Sequence, residues 1–82
     1  MANVILTTDL AREFTNGETE FDIEADNIRA VVKALDARFP GIRQALGQGV
    51  AVAIDGQIHR EFFLEPVGPN SEVCFLPAIE GG

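Results

Sequence analysis

One stretch of this chain has the period of an amphipathic helix. Between Ile28 and Phe39, apolar residues recur at helical spacing and charged residues fall between them. Asn27 stands where an N-cap side chain would accept a backbone N–H, and Pro40-Gly41 would stop the helix. A chain of 82 residues can bury only one small core. We therefore expect one main helix packed on a sheet formed by the rest of the chain.

The segment before the helix has two strand patterns. Residues 3–8 are apolar and β-branched, and residues 18–24 alternate between apolar side chains and carboxylates. Asn16-Gly17 is a strong turn signal. These patterns predict an N-terminal hairpin whose arms are joined by a long irregular loop over residues 9–16.

Three more strands are predicted after the helix. Residues 49–54 and 57–64 flank Asp55-Gly56 as a second hairpin, and residues 72–76 form the final strand. Residues 42–46 are expected to form only a short turn. The fold class is therefore α+β, with a mixed four- to five-stranded sheet and one main helix on one face.

One helix leaves the other sheet face available for contact. Side chains alternate along a strand, so Phe75 pointing to the helix would place Cys74 and Leu76 outside. The adjacent phenylalanines at 62 and 63 cannot both face inward either, so one of them and Leu76 are expected to form an exposed apolar patch for a protein partner. Scattered surface apolar residues are the alternative. The candidate docking residues from this pattern are Phe62, Phe63 and Leu76.

The charge balance excludes several partner classes. Thirteen acidic residues against six basic ones give a formal charge of -7, the wrong sign for nucleic acid or an anionic membrane surface. The carboxylates would suit a basic protein surface, or serve only solubility. The single cysteine, Cys74, forms no internal disulfide, which fits a reducing cytoplasm. We expect no secretory signal and no membrane span.

The sequence contains no recognisable catalytic constellation. His59 is the only histidine, and no nucleophile or paired carboxylate is placed near it. Cys74 has acidic Glu72 nearby, which disfavours the thiolate. The chain also lacks nucleotide-binding glycine motifs and metal-ligand spacing. We therefore expect a protein that is not itself an enzyme and binds no cofactor or metal.

The sequence ends in Gly81-Gly82, which offers a different kind of chemistry. Two residues without Cβ could pass through a channel too narrow for side chains and present a bare α-carboxylate. That carboxylate is an anion near neutral pH and must be activated before acyl transfer. A partner enzyme using MgATP could transfer AMP to it, after which sulfur would give a thiocarboxylate or an amine would give an isopeptide bond. A frayed end without function is the alternative.

These residues resemble the β-grasp sulfur carriers, which include the small subunit of molybdopterin synthase and the carriers of the thiamine and cysteine pathways. The resemblance covers nearly the whole chain, and its most specific part is the final strand, a proline and the glycine pair. It rests on residues Leu10 to Gly17, Asn27 to Gly41, Ile54 to Gly56 and Glu72 to Gly82.

The resemblance implies a ubiquitin-like β-grasp fold, with residues 1–82 as one domain and 77–82 as a projecting flexible tail. It implies that a ubiquitin-activating-like adenylyltransferase adenylates Gly82, and that the resulting thiocarboxylate passes sulfur from a donor to a synthase subunit. Molybdopterin-type or cysteine-type biosynthesis is the favoured pathway. Glu80 replaces a residue that is small in many members. The tail residues carried over are Pro77, Glu80, Gly81 and Gly82. The resemblance also matches Phe75 and Leu76 to the pair of residues before the proline, whose outward member helps to dock the partner, so Phe75 joins the candidate docking residues.

Two other functions stay open. The chain could be a ubiquitin-like modifier joined to protein amines through Gly82, although Lys33 is its only lysine for chain building. It could also be a β-grasp interaction domain in which the glycine pair is incidental.

Overall fold

A computed structural model describes residues 1–47 and 49–77 of the chain. Among these residues, no helix is both long enough and apolar enough to cross a membrane. The elements, in chain order, are β1 (Ala2–Ile5), α1 (Thr8–Phe14), β2 (Glu20–Ile23), α2 (Ile28–Arg38), α3 (Ile42–Leu46), β3 (Val50–Ile54), β4 (Gln57–His59) and β5 (Glu72–Pro77).

The five strands form one mixed sheet in the order β2-β1-β5-β3-β4. β1 and β5 run parallel, while the β1–β2, β3–β4 and β3–β5 pairs are antiparallel. The final strand therefore lies at the centre of the sheet, held by a neighbour on each side. This arrangement confirms the predicted α+β class and the mixed sheet.

The predicted main helix is α2. Asn27 caps it, because its Oδ1 accepts the backbone N–H of Ala30 at 2.8 Å. The Phe39 N–H donates to the Leu35 carbonyl at 2.7 Å and closes the last turn. The apolar stripe of the helix packs on the sheet. Its buried residues are Ile28, Val31, Val32 and Leu35.

The segment predicted as an irregular loop contains a helix, α1. Thr7 caps this helix through its Oγ1, which accepts the Leu10 N–H at 3.1 Å. Two consecutive residues, Leu10 and Ala11, are buried. Seven residues make about two turns, too few to repeat a helical apolar period clearly. The predicted turn that follows is confirmed, since Asn16 and Gly17 have φ of +58° and +94°.

Residues 42–46 also form a helix, α3, where only a short turn was expected. Ile42 and Leu46 are fully buried on its inner side. Asp36 of α2 fixes the preceding turn, because its Oδ1 accepts the N–H groups of Gly41 and Arg43, both at 3.1 Å. Gly41 takes φ +98° there, a value that favours glycine. Within the part of the chain that the structure describes, the helical layer thus has three members.

The second hairpin is shorter than predicted on its return arm and β5 is longer. β4 ends at His59, where residues up to 64 were expected to continue the strand. Phe62 then turns into the core, and the Ile28 N–H donates to the Glu65 carbonyl at 3.0 Å, which holds this segment against α2. Pro77 is the last described residue of β5 and lies opposite Val50, so pairing includes one residue more than predicted.

The core lies between the helices and one sheet face. The largest fully buried side chains include Phe75, which lies on β5 at the middle of the sheet. The other core residues from the sheet are Ala2, Val4, Phe21, Ile23, Val52, Ile54 and Val73.

Candidate functional site: the open sheet face and the end of β5

The side chains of β5 alternate between the two faces of the sheet, as predicted. Val73 and Phe75 are 0% and 1% exposed and face the helices. Cys74 and Leu76 are half-buried and face the other way. The central strand therefore presents two apolar side chains on the open face, directly before the C-terminal tail.

Strand register places further apolar side chains beside Cys74. Ala53 of β3 is its direct partner, and Ile5 of β1 is its partner on the other side. Ile58 of β4 lies opposite Ala53 and is 64% exposed. Leu76 lies opposite Ala51 one step nearer the tail. Paired residues share a face, so these residues form one surface. The open-face strip is Ile5, Ala51, Ala53, Ile58, Cys74 and Leu76, of which Ile58 is exposed, Ala51 is buried and the others are half-buried.

Carboxylates border this strip on the β2 side. Glu20 lies opposite Ile5, and Asp22 lies opposite Asn3. Asn3 is also the partner of Glu72 on β5, and its Nδ2 donates to the Glu20 carboxylate at 3.4 Å. A surface complementary to this face needs an apolar centre and cationic groups on one side.

The predicted docking set is not one surface. Phe75 and Phe62 are 1% and 4% exposed, and their rings pack edge to face with centroids 6.3 Å apart. These two side chains belong to the core and offer almost no surface to a partner, so the structure does not place them on a docking surface. Leu76 is the member of the set that lies on the open face.

Phe63 is exposed, but it lies on the helical side of the molecule. Its carbonyl accepts the N–H of Arg29 in the first turn of α2 at 3.0 Å. The predicted patch of a phenylalanine beside Leu76 is therefore replaced by the open-face strip. Sequence reasoning missed Ile5 and Ile58 because only the register of β1 and β4 brings them to this face.

The described residues contain little other chemistry. Burial, and then the nearby Glu72 carboxylate, raise the pKa of the Cys74 thiol. The thiol is therefore kept protonated and acts as a small apolar group, as predicted. His59 lies on the edge strand β4, with its Nδ1 3.6 Å from a carboxylate oxygen of Glu65. Within residues 1–47 and 49–77, no cluster of His, Cys, Asp and Glu side chains could hold a metal ion.

The tail begins at a fixed point. Pro77 is held in the β3–β5 ladder opposite Val50, and its side chain is exposed. The remaining predicted tail residues, Glu80, Gly81 and Gly82, lie outside the described part of the chain. What the structure describes is therefore the base of the tail and the two faces beside it.

Solved structures share this fold. A chain of the Amycolatopsis orientalis BexX/CysO complex is 21% identical with a TM-score of 0.85, and all of both chains is covered. Mycobacterium tuberculosis CysO is 20% identical with a TM-score of 0.84, over 96% of this chain and 100% of that one. Small archaeal modifier protein 1 from Methanosarcina acetivorans is 19% identical with a TM-score of 0.77, over 99% of this chain and 95% of that one. These likenesses confirm the ubiquitin-like β-grasp fold.

Sequence comparison gives the family. Against curated proteins it finds no significant match. The ThiS family model, however, matches residues 6–82, which include all of β5 and the glycine pair. A match over nearly the whole chain, on the same fold, decides the assignment. The chain belongs to the ThiS family.

Proposed function

We propose that this protein is a sulfur carrier whose reactive group is the C-terminal carboxylate of Gly82. The observation that carries the proposal is the extent of the family match, which runs through β5 to Gly82 itself. The structure supports it further, because β5 is the central strand and holds the base of the tail rigidly. The chain then acts as a cosubstrate, and partner proteins supply the catalysis.

The proposed chemistry has two steps. In the first, a carboxylate oxygen of Gly82 attacks the α-phosphorus of ATP on a ubiquitin-activating-like adenylyltransferase, and pyrophosphate leaves. In the second, hydrosulfide (HS⁻) supplied by the sulfur donor attacks the acyl carbon, AMP leaves with the bonding electrons, and loss of the sulfur-bound proton leaves a thiocarboxylate. MgATP is a substrate of the partner enzyme in this scheme, so this chain needs no nucleotide site of its own.

The position of Pro77 limits where the adenylation site of the partner can lie. Five residues lead from Pro77 to Gly82, and a fully extended chain of five residues spans at most about 18 Å. The adenylation site of the partner must therefore lie within about this distance of the end of β5. A partner that reaches the tail would also cover the surface around Leu76.

We propose that the open-face strip docks the adenylyltransferase. Its apolar residues lie beside the tail base, and the carboxylates of Glu20, Asp22 and Glu72 border them. The strip is exposed at Ile58 and partly exposed at most of its other members, and contiguous apolar surface with a polar rim is typical of protein-binding surfaces. The acidic border favours a basic surface on the partner, which agrees with the overall negative charge. The pathway that receives the sulfur is proposed to be of the molybdopterin or cysteine type.

Adenylation can be tested by ATP–pyrophosphate exchange with a cognate activating enzyme. We expect the full chain to support exchange and a chain lacking Gly82 to lose it, with an unchanged thermal unfolding midpoint. Lys33→Arg is the matched control, because it changes a surface group far from the tail in sequence and keeps its charge. Equal exchange by the shortened chain would contradict the proposal.

A second candidate is a protein modifier conjugated through Gly82. The likeness to small archaeal modifier protein 1 favours it. In that case a lysine amine attacks the activated acyl carbon, AMP leaves, and an isopeptide bond forms. Incubation with enzyme, MgATP and a lysine-rich acceptor protein distinguishes the two functions. A modifier gives higher-mass products that survive reducing denaturing electrophoresis, whereas a dedicated carrier gives none.

A further inference from the structure

A groove of about 930 Å³ lies on the helical side of the molecule, between α2, α3 and the segment after β4. It is separate from the open-face strip, because α2 covers the opposite face of the sheet. We call it the helical-face groove. The lining residues that matter for its chemistry are Arg29, Lys33, Asp36, Arg43, Phe63 and Leu64.

The apolar part of the groove is displayed by a fixed backbone. Phe63 is 40% exposed and Leu64 is 83% exposed. The Arg29 N–H donates to the Phe63 carbonyl, and the Ile28 N–H donates to the Glu65 carbonyl, both at 3.0 Å. The neighbouring Phe62 ring is buried in the core and anchors the segment. The backbone hydrogen bonds and the buried Phe62 ring therefore hold the two exposed side chains at the surface.

Positively charged side chains also line the groove. Arg29, Lys33 and Arg43 are three of the six basic residues in a chain of net charge -7. All three are exposed, and within residues 1–47 and 49–77 none of them forms a salt bridge. Among the described residues, Asp36 supplies the one carboxylate that lines the groove, and its Oδ1 already accepts two backbone N–H groups at the α2–α3 turn.

We propose that the helical-face groove binds an acidic, leucine-containing segment of a partner protein. Three cations around an apolar floor suit a peptide that carries both carboxylates and an aliphatic side chain. A nucleic acid would match the cations but leave Leu64 uncovered, and its long phosphate backbone would meet the negative charge of the rest of the chain. A short acidic segment avoids most of that repulsion.

This site is independent of the Gly82 chemistry. The helical-face groove and the open-face strip lie on opposite sides of the sheet, so one partner could hold the groove while another engages the tail. The groove would then tether the protein to an assembly without blocking acyl transfer. Loss of peptide binding with intact adenylation, or the reverse, distinguishes a failure of this inference from a failure of the proposed function.

The probe is a synthetic ten-residue peptide of aspartate, glutamate and two leucines, capped at both ends and titrated into the isotope-labelled full chain. We expect saturable shifts of backbone amide signals at Arg29, Lys33 and Leu64. The matched peptide has asparagine and glutamine in place of the carboxylates and is expected to bind at least roughly fivefold more weakly. Shifts confined to the open-face strip, or no saturable shift, would overturn the proposal.

A pair of charge reversals makes the test specific. Arg29→Glu places an acidic residue in the first turn of α2, where it favours the helix, so the variant should fold. It is expected to weaken the binding of the acidic peptide roughly fivefold or more. Arg12→Glu makes the same change in net charge on α1, outside the groove, and should leave the affinity within about twofold. Equal losses of affinity in both variants would mean that only net charge matters and would overturn the assignment of peptide binding to the groove.

Two other occupants are outcomes of the same titration. Tighter binding of a ten-nucleotide thymidine oligomer than of the acidic peptide would overturn the inference in favour of nucleic acid. Concentration-dependent shifts at Arg29 and Leu64 without peptide, with dimers in sedimentation equilibrium, would assign the groove to a second copy of the chain. Peptide binding that depends on Arg29 while the protein remains monomeric supports the proposal.

Discussion

Asp55 and Glu72 hold one another by reciprocal hydrogen bonds. The Glu72 N–H donates to Oδ1 of Asp55 at 2.9 Å, and the Asp55 N–H donates to the Glu72 carbonyl at 2.9 Å. Oδ2 of Asp55 also accepts the hydroxyl of Ser71 at 3.1 Å. The turn between β3 and β4 therefore fixes the first residue of β5, the strand that ends at the base of the tail.

We predict that Asp55→Ala destabilises the protein by about 1–3 kcal/mol, because two hydrogen bonds to a charged acceptor are lost. Asp55 also has φ +49°, which alanine adopts less readily than aspartate or asparagine. Asp55→Asn is the matched variant, since it keeps one acceptor oxygen and tolerates this φ, so it should lose less. Urea denaturation gives both values. An alanine variant as stable as the wild type would show that Asp55 does not fix β5.

Phe75 and Leu76 are neighbours with opposite expected effects. Phe75→Ala removes a fully buried ring and should cost about 3–5 kcal/mol in the free energy of unfolding. Leu76→Ala removes a half-buried side chain from the open face and should cost no more than about 1.5 kcal/mol.

With the same Leu76→Ala variant as substrate, the KM of the activating enzyme for this protein should rise about fivefold or more if the open-face strip docks that enzyme. Leu64→Ala is the control, because Leu64 is 83% exposed and lies on the helical side. An unchanged KM for Leu76→Ala, or an equal rise for Leu64→Ala, would remove the strip from the docking surface.

The Cys74 thiol should react slowly at neutral pH, because burial and then Glu72 raise its pKa. The folded state holds the thiol proton to higher pH than the unfolded state does. Its contribution to stability is therefore fully present below the ordinary pKa of a thiol and is lost as pH rises from that value through the raised pKa of the folded state.

The measurement is the rate of iodoacetamide alkylation against pH, for native protein and for protein unfolded in urea. We expect the midpoint of the native curve to lie at higher pH than that of the unfolded curve. Cys74→Ser should abolish the reaction in both. A native midpoint at or below the unfolded one would mean that Cys74 is an activated thiol.

The sequence was enough to predict α2 and the alternation of β5, for two different reasons. The eleven residues of α2 repeat their apolar period several times. Residues 73–76 are all apolar, but any β-strand places successive side chains on opposite faces, so the strand assignment alone predicted their alternation. α1 has seven residues and only one clear buried pair, so its period could not be distinguished from a loop. Local periodicity therefore predicted the longer elements and missed the short ones.

The candidate surface was only half predictable for a different reason. Which residue lies beside Leu76 depends on strand register, a long-range property that no local pattern contains. Ile58 and Ile5 reach the open face through pairing with Ala53 and Cys74. Phe63 does not lie on that face, because the chain departs from the sheet after His59 and is hydrogen-bonded to α2 instead.

The most direct test of the account is the intact mass of the protein after incubation with a cognate activating enzyme, MgATP and a sulfur donor. The account predicts a gain of about 16 Da, from oxygen replaced by sulfur, located in the peptide that ends at Gly82. The chain lacking Gly82 should show no gain. An unchanged mass with an enzyme that remains active, or a gain located at Cys74, would contradict the central claim that Gly82 carries the sulfur.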